Sequence, residues 1–198
     1  MSGDAFDAAH SLVLKWEGGA VDDPHDPGGY TIGGISLRAL VAAGLDFNAD
    51  GRVDRADLEA MTPEERRAFY RGRYWTPVRG DRLPAPLALL VYDCAVNQGV
   101  RRASRILQRA AGARPDGIVG PRTLDAVWRA WRREDGRWIL VEVASRRFLH
   151  YSSLSLFARY GRGWSRRLVD VACTAERWRA LDAPSVPPMP RTAQADRA

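Results

Sequence analysis

The chain has 198 residues, enough for one large or two small domains whose core needs no disulfide or metal staple. No apolar run approaches the ~20 residues needed to cross a bilayer, which excludes the membrane-spanning classes and predicts no membrane insertion. The formal charge is +6 with Lys15 the only lysine, an arginine excess that suits a polyanion, either nucleic acid or a bacterial envelope rich in carboxylate and phosphate. Nucleic-acid binding rests on that excess alone, without a recognised reading motif, so no nucleic acid is expected as partner.

From Ala5 to Trp16 the apolar residues Phe6, Ala9, Val13 and Trp16 recur at helical spacing, and Gly18-Gly19 stops the helix just past Glu17. Gly18 to Thr31 has no sustained period and is rich in glycine, proline and acids, which predicts a long loop or a short hairpin. A second helix is expected from Ser36 and a third after Thr62-Pro63-Glu64-Glu65, where Thr62 caps, Pro63 fits the first turn and Glu65 closes a capping box. The latter should run to Tyr74-Trp75. After the break at Leu83-Pro84-Ala85-Pro86, the segments Leu87 to Val96, Ala103 to Ala111, Pro121 to Trp131, Trp138 to Tyr151 and Trp164 to Leu181 all read as helices. The fold is expected to be mainly α. From Pro184 the composition shifts to proline, alanine and polar residues, predicting a disordered tail.

Cys94 and Cys173 lie in apolar helical patterns and read as two packed thiols rather than a disulfide. His10, His25 and His150 are scattered, show no zinc-type spacing and receive no role. The N-terminus carries acids where a secretory signal carries Lys or Arg, so assisted export or cell lysis is the expected route to any target outside the cytoplasm.

Cleavage of a glycosidic bond needs a protonated carboxyl beside the leaving oxygen and usually a carboxylate across the sugar. Glu17 follows Trp16 at the C-terminal end of a helix, where the helix dipole and apolar surroundings both disfavour ionisation; it suits a general acid. Asp26 lies in a polar loop whose donors and solvent favour the charged form, and it suits the partner role. Thr31 can orient an attacking water through its hydroxyl.

Trp16-Glu17-Gly18-Gly19, followed by Asp26-Pro27-Gly28-Gly29-Tyr30-Thr31-Ile32-Gly33-Gly34-Ile35-Ser36, resembles the opening of the N-acetylmuramidases of glycoside hydrolase family 108, and Tyr70-Arg71-Gly72-Arg73-Tyr74-Trp75 resembles that family's Tyr–Trp helix end. Tyr92-Asp93-Cys94-Ala95-Val96-Asn97-Gln98-Gly99, Leu107-Gln108 and Asp116-Gly117-Ile118-Val119-Gly120-Pro121 are similar to the peptidoglycan-binding region attached to these enzymes. The resemblance implies a lysozyme-like helical fold with an active-site loop or short hairpin after the first helix. It also implies hydrolysis of the β-1,4 bond between N-acetylmuramic acid and N-acetylglucosamine, with Glu17 as catalytic acid. Tyr30, Asn97, Gln98 and Asp116 are its expected substrate contacts, peptidoglycan its partner and the monomer its expected state. The implied organisation is a catalytic lobe over 1–82, a helical peptidoglycan-binding lobe over 83–183 and a tail over 184–198, acting on the wall in the periplasm or outside the cell.

Asp46-Phe47-Asn48-Ala49-Asp50-Gly51-Arg52-Val53-Asp54-Arg55-Ala56-Asp57 carries acids or amides at positions one, three, five, nine and twelve of an EF-hand-like loop, glycine at six and Val53 at eight. Asp46, Asn48, Asp50, Asp54 and Asp57, with the Arg52 carbonyl, are the expected ligands of a structural Ca²⁺; no organic cofactor is expected. The bland reading of the same residues is an Asp-rich turn with Asp54 or Asp57 as helix caps. The competing functional reading of the whole chain is a non-catalytic peptidoglycan-binding or envelope-assembly protein.

Overall fold

The structure, a computed structural model, describes residues 5–17 and 30–182. Most of the expected loop after the first helix, Asp26 within it, and the expected tail lie outside the described residues.

Helix α1 spans Ala5–Glu17 and buries Phe6, Ala9, His10 and Val13, one stripe at helical spacing. The chain is next described at a hairpin, where β1 (Thr31–Ile32) pairs antiparallel with β2 (Ile35–Ser36) across Gly33-Gly34. Both glycines have positive φ, 54° and 75°, as a two-residue turn matching the strand twist requires. Ser36 then caps α2 (Leu37–Ala43), its hydroxyl accepting from Ala39 N–H at 3.2 Å.

Helix α3 (Arg55–Ala60) begins in a capping box made by Asp54 and Asp57, and α4 (Pro63–Tyr70) in the one expected between Thr62 and Glu65. One wide π-helical turn continues α4 over Arg71–Trp75 and delivers Trp75 into the core, where its indole N–H reaches Asp81 at 2.8 Å.

Helix α5 (Ala85–Gln98) is the centre of the fold: every residue from Pro86 to Ala95 is buried. Around it pack α1, α6 (Val100–Ala110), α8 (Arg137–Ser152) and α9 (Phe157–Asp182), with α7 (Pro121–Trp131) against α6 and α8. One apolar cluster runs from Phe6 through Leu87 to Ala175, so the N- and C-terminal segments share a core. Among the described residues no helix is long and apolar enough to cross a membrane.

The last helix starts at Phe157, seven residues before the expected Trp164. The helix runs through Gly161-Arg162-Gly163, where the bare Gly161 backbone leaves room for the Phe157 ring, which a Cβ would meet at 2.7 Å. Of the two expected packed thiols, Cys94 is buried and Cys173 is exposed; both are free. Cys173 faces outward on α9, where helical periodicity turns it away from the core.

Candidate active site

Glu17 ends α1 with 15% of its side chain exposed. The hairpin turn presses on it. A Cβ on Gly34 would lie 2.2 Å from Tyr70 Oη, 2.7 Å from Glu17 Oε2 and 2.9 Å from Glu17 Cβ, so only glycine admits this approach. Tyr70 Oη donates to the Gly33 carbonyl at 2.8 Å, tying α4 to the same turn. Beneath the acid lies an aromatic layer in which Phe6 stacks on His10 at 5.2 Å and His10 meets Tyr70 at 4.8 Å. His10 Nδ1 is 3.0 Å from Tyr92 Oη. Burial, reinforced by Arg67, holds the His10 pKa below its ordinary value, which favours the neutral ring in this packing.

Three charged residues complete the surroundings of Glu17. Arg167 of α9 places Nη1 2.7 Å from Glu17 Oε1, a close ion-pair contact too oblique for a hydrogen bond. On its other side Arg167 donates through Nε to Asp93 Oδ1 at 2.7 Å. Asp93, fully buried in α5, accepts from Arg147 Nη2 of α8 at 2.6 Å through Oδ2. Arg147 also donates to the Leu90 carbonyl at 3.2 Å. Charge therefore alternates along Arg147, Asp93, Arg167 and Glu17, the arrangement that lets buried ions compensate one another.

Burial pushes the Glu17 carboxyl above the ordinary carboxylate range, with the Asp93 charge adding to the shift and Arg167 opposing it. A carboxyl so placed holds its proton to higher pH than a free glutamate and, once it has given the proton away, rests against a guanidinium. Burial and the Glu17 charge likewise raise the Tyr70 and Tyr74 phenols, which stay neutral donors. From Tyr74 a groove of about 750 Å³ runs between Ser36, Arg38 and Ala39 on one side and Val96, Gly99 and Val100 on the other.

The remaining expected contacts are spread over the fold. Thr31 opens β1 opposite Ser36. Tyr30 lies under the Arg55 guanidinium at 3.7 Å and donates to Glu59 Oε1 at 3.1 Å, so its side chain is engaged with α3. Asn97 Oδ1 accepts from Tyr151 Oη at 2.7 Å, and Gln98 Oε1 from the Cys94 thiol at 3.0 Å. Asp116 accepts from Ile118 N–H at 2.9 Å and from Gln108 Nε2 at 2.7 Å, which fastens the turn before α7 to α6.

In the Asp46–Asp57 loop each acid or amide of the pattern accepts a backbone N–H: Asp46 from Gly51, Asn48 from Asp50, Asp50 from Arg52 and Asp54 from Ala56. Asp57 takes three, from Phe47 and Asn48 on Oδ1 and from Asp54 on Oδ2. Those bonds, Asp54 foremost, hold its carboxyl below the ordinary value; its own loop shields it from water without placing it deep in the protein. Ala49 and Gly51 have φ of 59° and 85°, the left-handed turns that curl the loop round its own carboxylates. Among the described residues no three His, Cys, Asp or Glu side chains converge closely enough to hold a metal. One oxygen nevertheless suits a cation: Asp46 Oδ1 is buried and has no hydrogen-bond donor.

Sequence reasoning missed Arg167 and Arg147 and gave Asp93 no role. The available signal was an acid inside the otherwise apolar Leu87–Val96 helix, which demands a buried cation.

Residues 10–99 match the Glycosyl hydrolase 108 family and residues 102–169 the family described as Predicted Peptidoglycan domain. The solved structure of Brucella abortus SagA superposes with a TM-score of 0.76 at 35% sequence identity, covering 88% of this chain and 95% of that one. No curated protein matches the chain. Both matched segments, in this order on one helical fold with a buried acid at the end of α1, establish that the chain belongs to glycosyl hydrolase family 108, glycoside hydrolases that act on peptidoglycan.

Proposed function

We propose that the protein is a muramidase, hydrolysing the β-1,4 bond between N-acetylmuramic acid and N-acetylglucosamine, with Glu17 as general acid. The observation that carries this reading is the Glu17 carboxyl, buried against Gly34 and Tyr70 and in contact with one cation. The glycan lies in the groove beside Tyr74. Glu17 gives its proton to the leaving oxygen as the glycosidic bond breaks, and Arg167 stabilises the carboxylate that results. Asp26 acts across the sugar on the water or on the developing positive charge, and Thr31 orients the water. The place of action is the wall, in the periplasm or outside the cell.

The test is mass spectrometry of the sugars released from purified peptidoglycan. The parent should liberate fragments with N-acetylmuramic acid at the reducing end, and Glu17→Gln should slow release by about 10²–10⁴-fold while keeping the parental circular dichroism spectrum. Parental rates from the folded variant would defeat the assignment.

We propose also that the Asp46–Asp57 loop binds Ca²⁺. The lone buried Asp46 Oδ1 and the curled backbone at Ala49 and Gly51 support this, and Asp46, Asn48, Asp50, Asp54, Asp57 and the Arg52 carbonyl would hold the ion. The cation would stiffen the loop that leads into α3, the helix on which Tyr30 rests.

A further inference from the structure

The groove that starts at Tyr74 meets a second hollow at Gly99. This one, of about 550 Å³, lies between α6 and α8; it contains none of Glu17, Asp26 and Thr31, and Gln98 alone of the expected substrate contacts. Its walls carry Arg101, Arg102, Arg105 and Arg109 from α6, a stripe at helical spacing, with Arg146 and His150 from α8. No carboxylate is among its described lining residues. Of the five guanidinium groups, Arg146 is matched by Glu142 at 3.0 Å. Arg102 Nη1, always a donor, donates a hydrogen bond to His150 Nδ1 at 3.3 Å.

Three donors at this hollow are buried without any acceptor: Arg105 Nε, Arg146 Nε and Gln98 Nε2. Unmatched buried donors are uncommon in native folds, and here three gather around one cationic cavity. All are donors and none an acceptor, so the hollow calls for an acceptor, and the arginines around it select one that carries negative charge. Guanidinium forks suit planar carboxylates in particular.

We infer that this arginine-lined hollow binds the carboxylates of the peptide branch of peptidoglycan, making peptide-bearing glycan the preferred ligand over bare sugar chains. The inference rests on peptidoglycan as substrate. A glycan lying in the Tyr74 groove would send its peptide branches past Gly99 into the arginines, which places this subsite in the segment that matches a peptidoglycan domain.

The experiment uses the full chain carrying Glu17→Gln, so that binding is read without turnover, and compares it with the same chain carrying Arg102→Gln and Arg109→Gln. Both arginines are exposed on α6, so the fold should survive, as an unchanged melting temperature would verify. Co-sedimentation is measured with intact sacculi and with sacculi whose peptides have been removed by an amidase. The double replacement should weaken retention on intact sacculi by about tenfold, in line with two lost charge-assisted contacts, and leave retention on the stripped glycan unchanged. Equal loss on both materials, or loss on neither, would overturn the inference. Sacculi freed of phosphate polymers by hydrofluoric acid should be retained like untreated ones; a parallel loss there would assign the hollow to phosphate instead. Active sugar release by Glu17→Gln would sink the muramidase reading separately, without touching these binding ratios.

Discussion

Arg167 of the last helix stands 2.7 Å from Glu17 of the first, and its Nε is committed to Asp93 on the other side. The acid therefore answers to a cation that is itself held in place from the centre of the fold.

Replacing Arg167 with glutamine removes the influence that pulls the Glu17 pKa down and leaves burial and Asp93, which both push it up. A general acid works while protonated, so the alkaline limb of the pH–rate profile should move to higher pH in Arg167→Gln. Stability should fall by roughly 3–5 kcal/mol, because Asp93 loses one of its two buried cations. A profile that shifts to lower pH would contradict the arrangement.

The raised Glu17 pKa also predicts how stability varies with pH. Between the ordinary glutamate value of 4.5 and the higher value in the folded state, the native protein holds a proton that the unfolded chain has released, so this group's contribution is complete below 4.5 and is lost as pH rises through the folded pKa. Glu17→Gln lacks that loss. Its melting temperature relative to the parent should rise as pH increases above 4.5 and level off once the parent's folded carboxyl is ionised; a constant offset would show that the carboxyl is not shifted upward.

Gly34→Ala should be damaging out of proportion to one methyl group. The new Cβ meets Tyr70 Oη and Glu17 Oε2 in a turn whose φ of 75° already disfavours any other residue. Denaturant titration should show a loss of about 1–3 kcal/mol, and sugar release should drop more steeply than folded fraction as the acid is displaced. Gly33→Ala, whose Cβ comes no nearer than 3.8 Å to Arg66, provides the matched control for backbone strain alone.

Millimolar CaCl₂ should raise the melting temperature of the parent and leave that of Asp46→Ala unchanged, with EDTA reversing the gain. At a hundredfold excess over its dissociation constant a ligand adds about 2.7 kcal/mol. Isothermal titration with no heat at millimolar Ca²⁺, together with no thermal shift, would reduce the loop to a set of helix caps.

The helices were legible wherever apolar spacing and caps agreed: Thr62 with Glu65, Ser36 before α2 and Pro121 at the start of α7 all stand where local chemistry puts them. Glu17 was legible because a helix end, a stop signal and a family motif coincide there. What surrounds it was not. Arg167 lies 150 positions away in a segment full of arginines, and nothing local separates the one that turns inward from its exposed neighbours Arg162 and Arg166. The same holds for the donors at the α6–α8 hollow, whose lack of acceptors arises from packing between two helices far apart in sequence.

Arg147 gives the central ion chain a consequence for how the molecule can be divided. Its partner Asp93 lies in the segment matching the hydrolase family, whereas Arg147 and Arg167 both come from the segment matching the peptidoglycan domain. A shortened gene ending near residue 100 would strip α6, α8 and α9 from α5 and open its apolar face, with Asp93 in the middle and both counterions gone, to water. The two matched segments thus share one buried ion chain, and neither can be traded for a foreign module without rebuilding the electrostatics of the other.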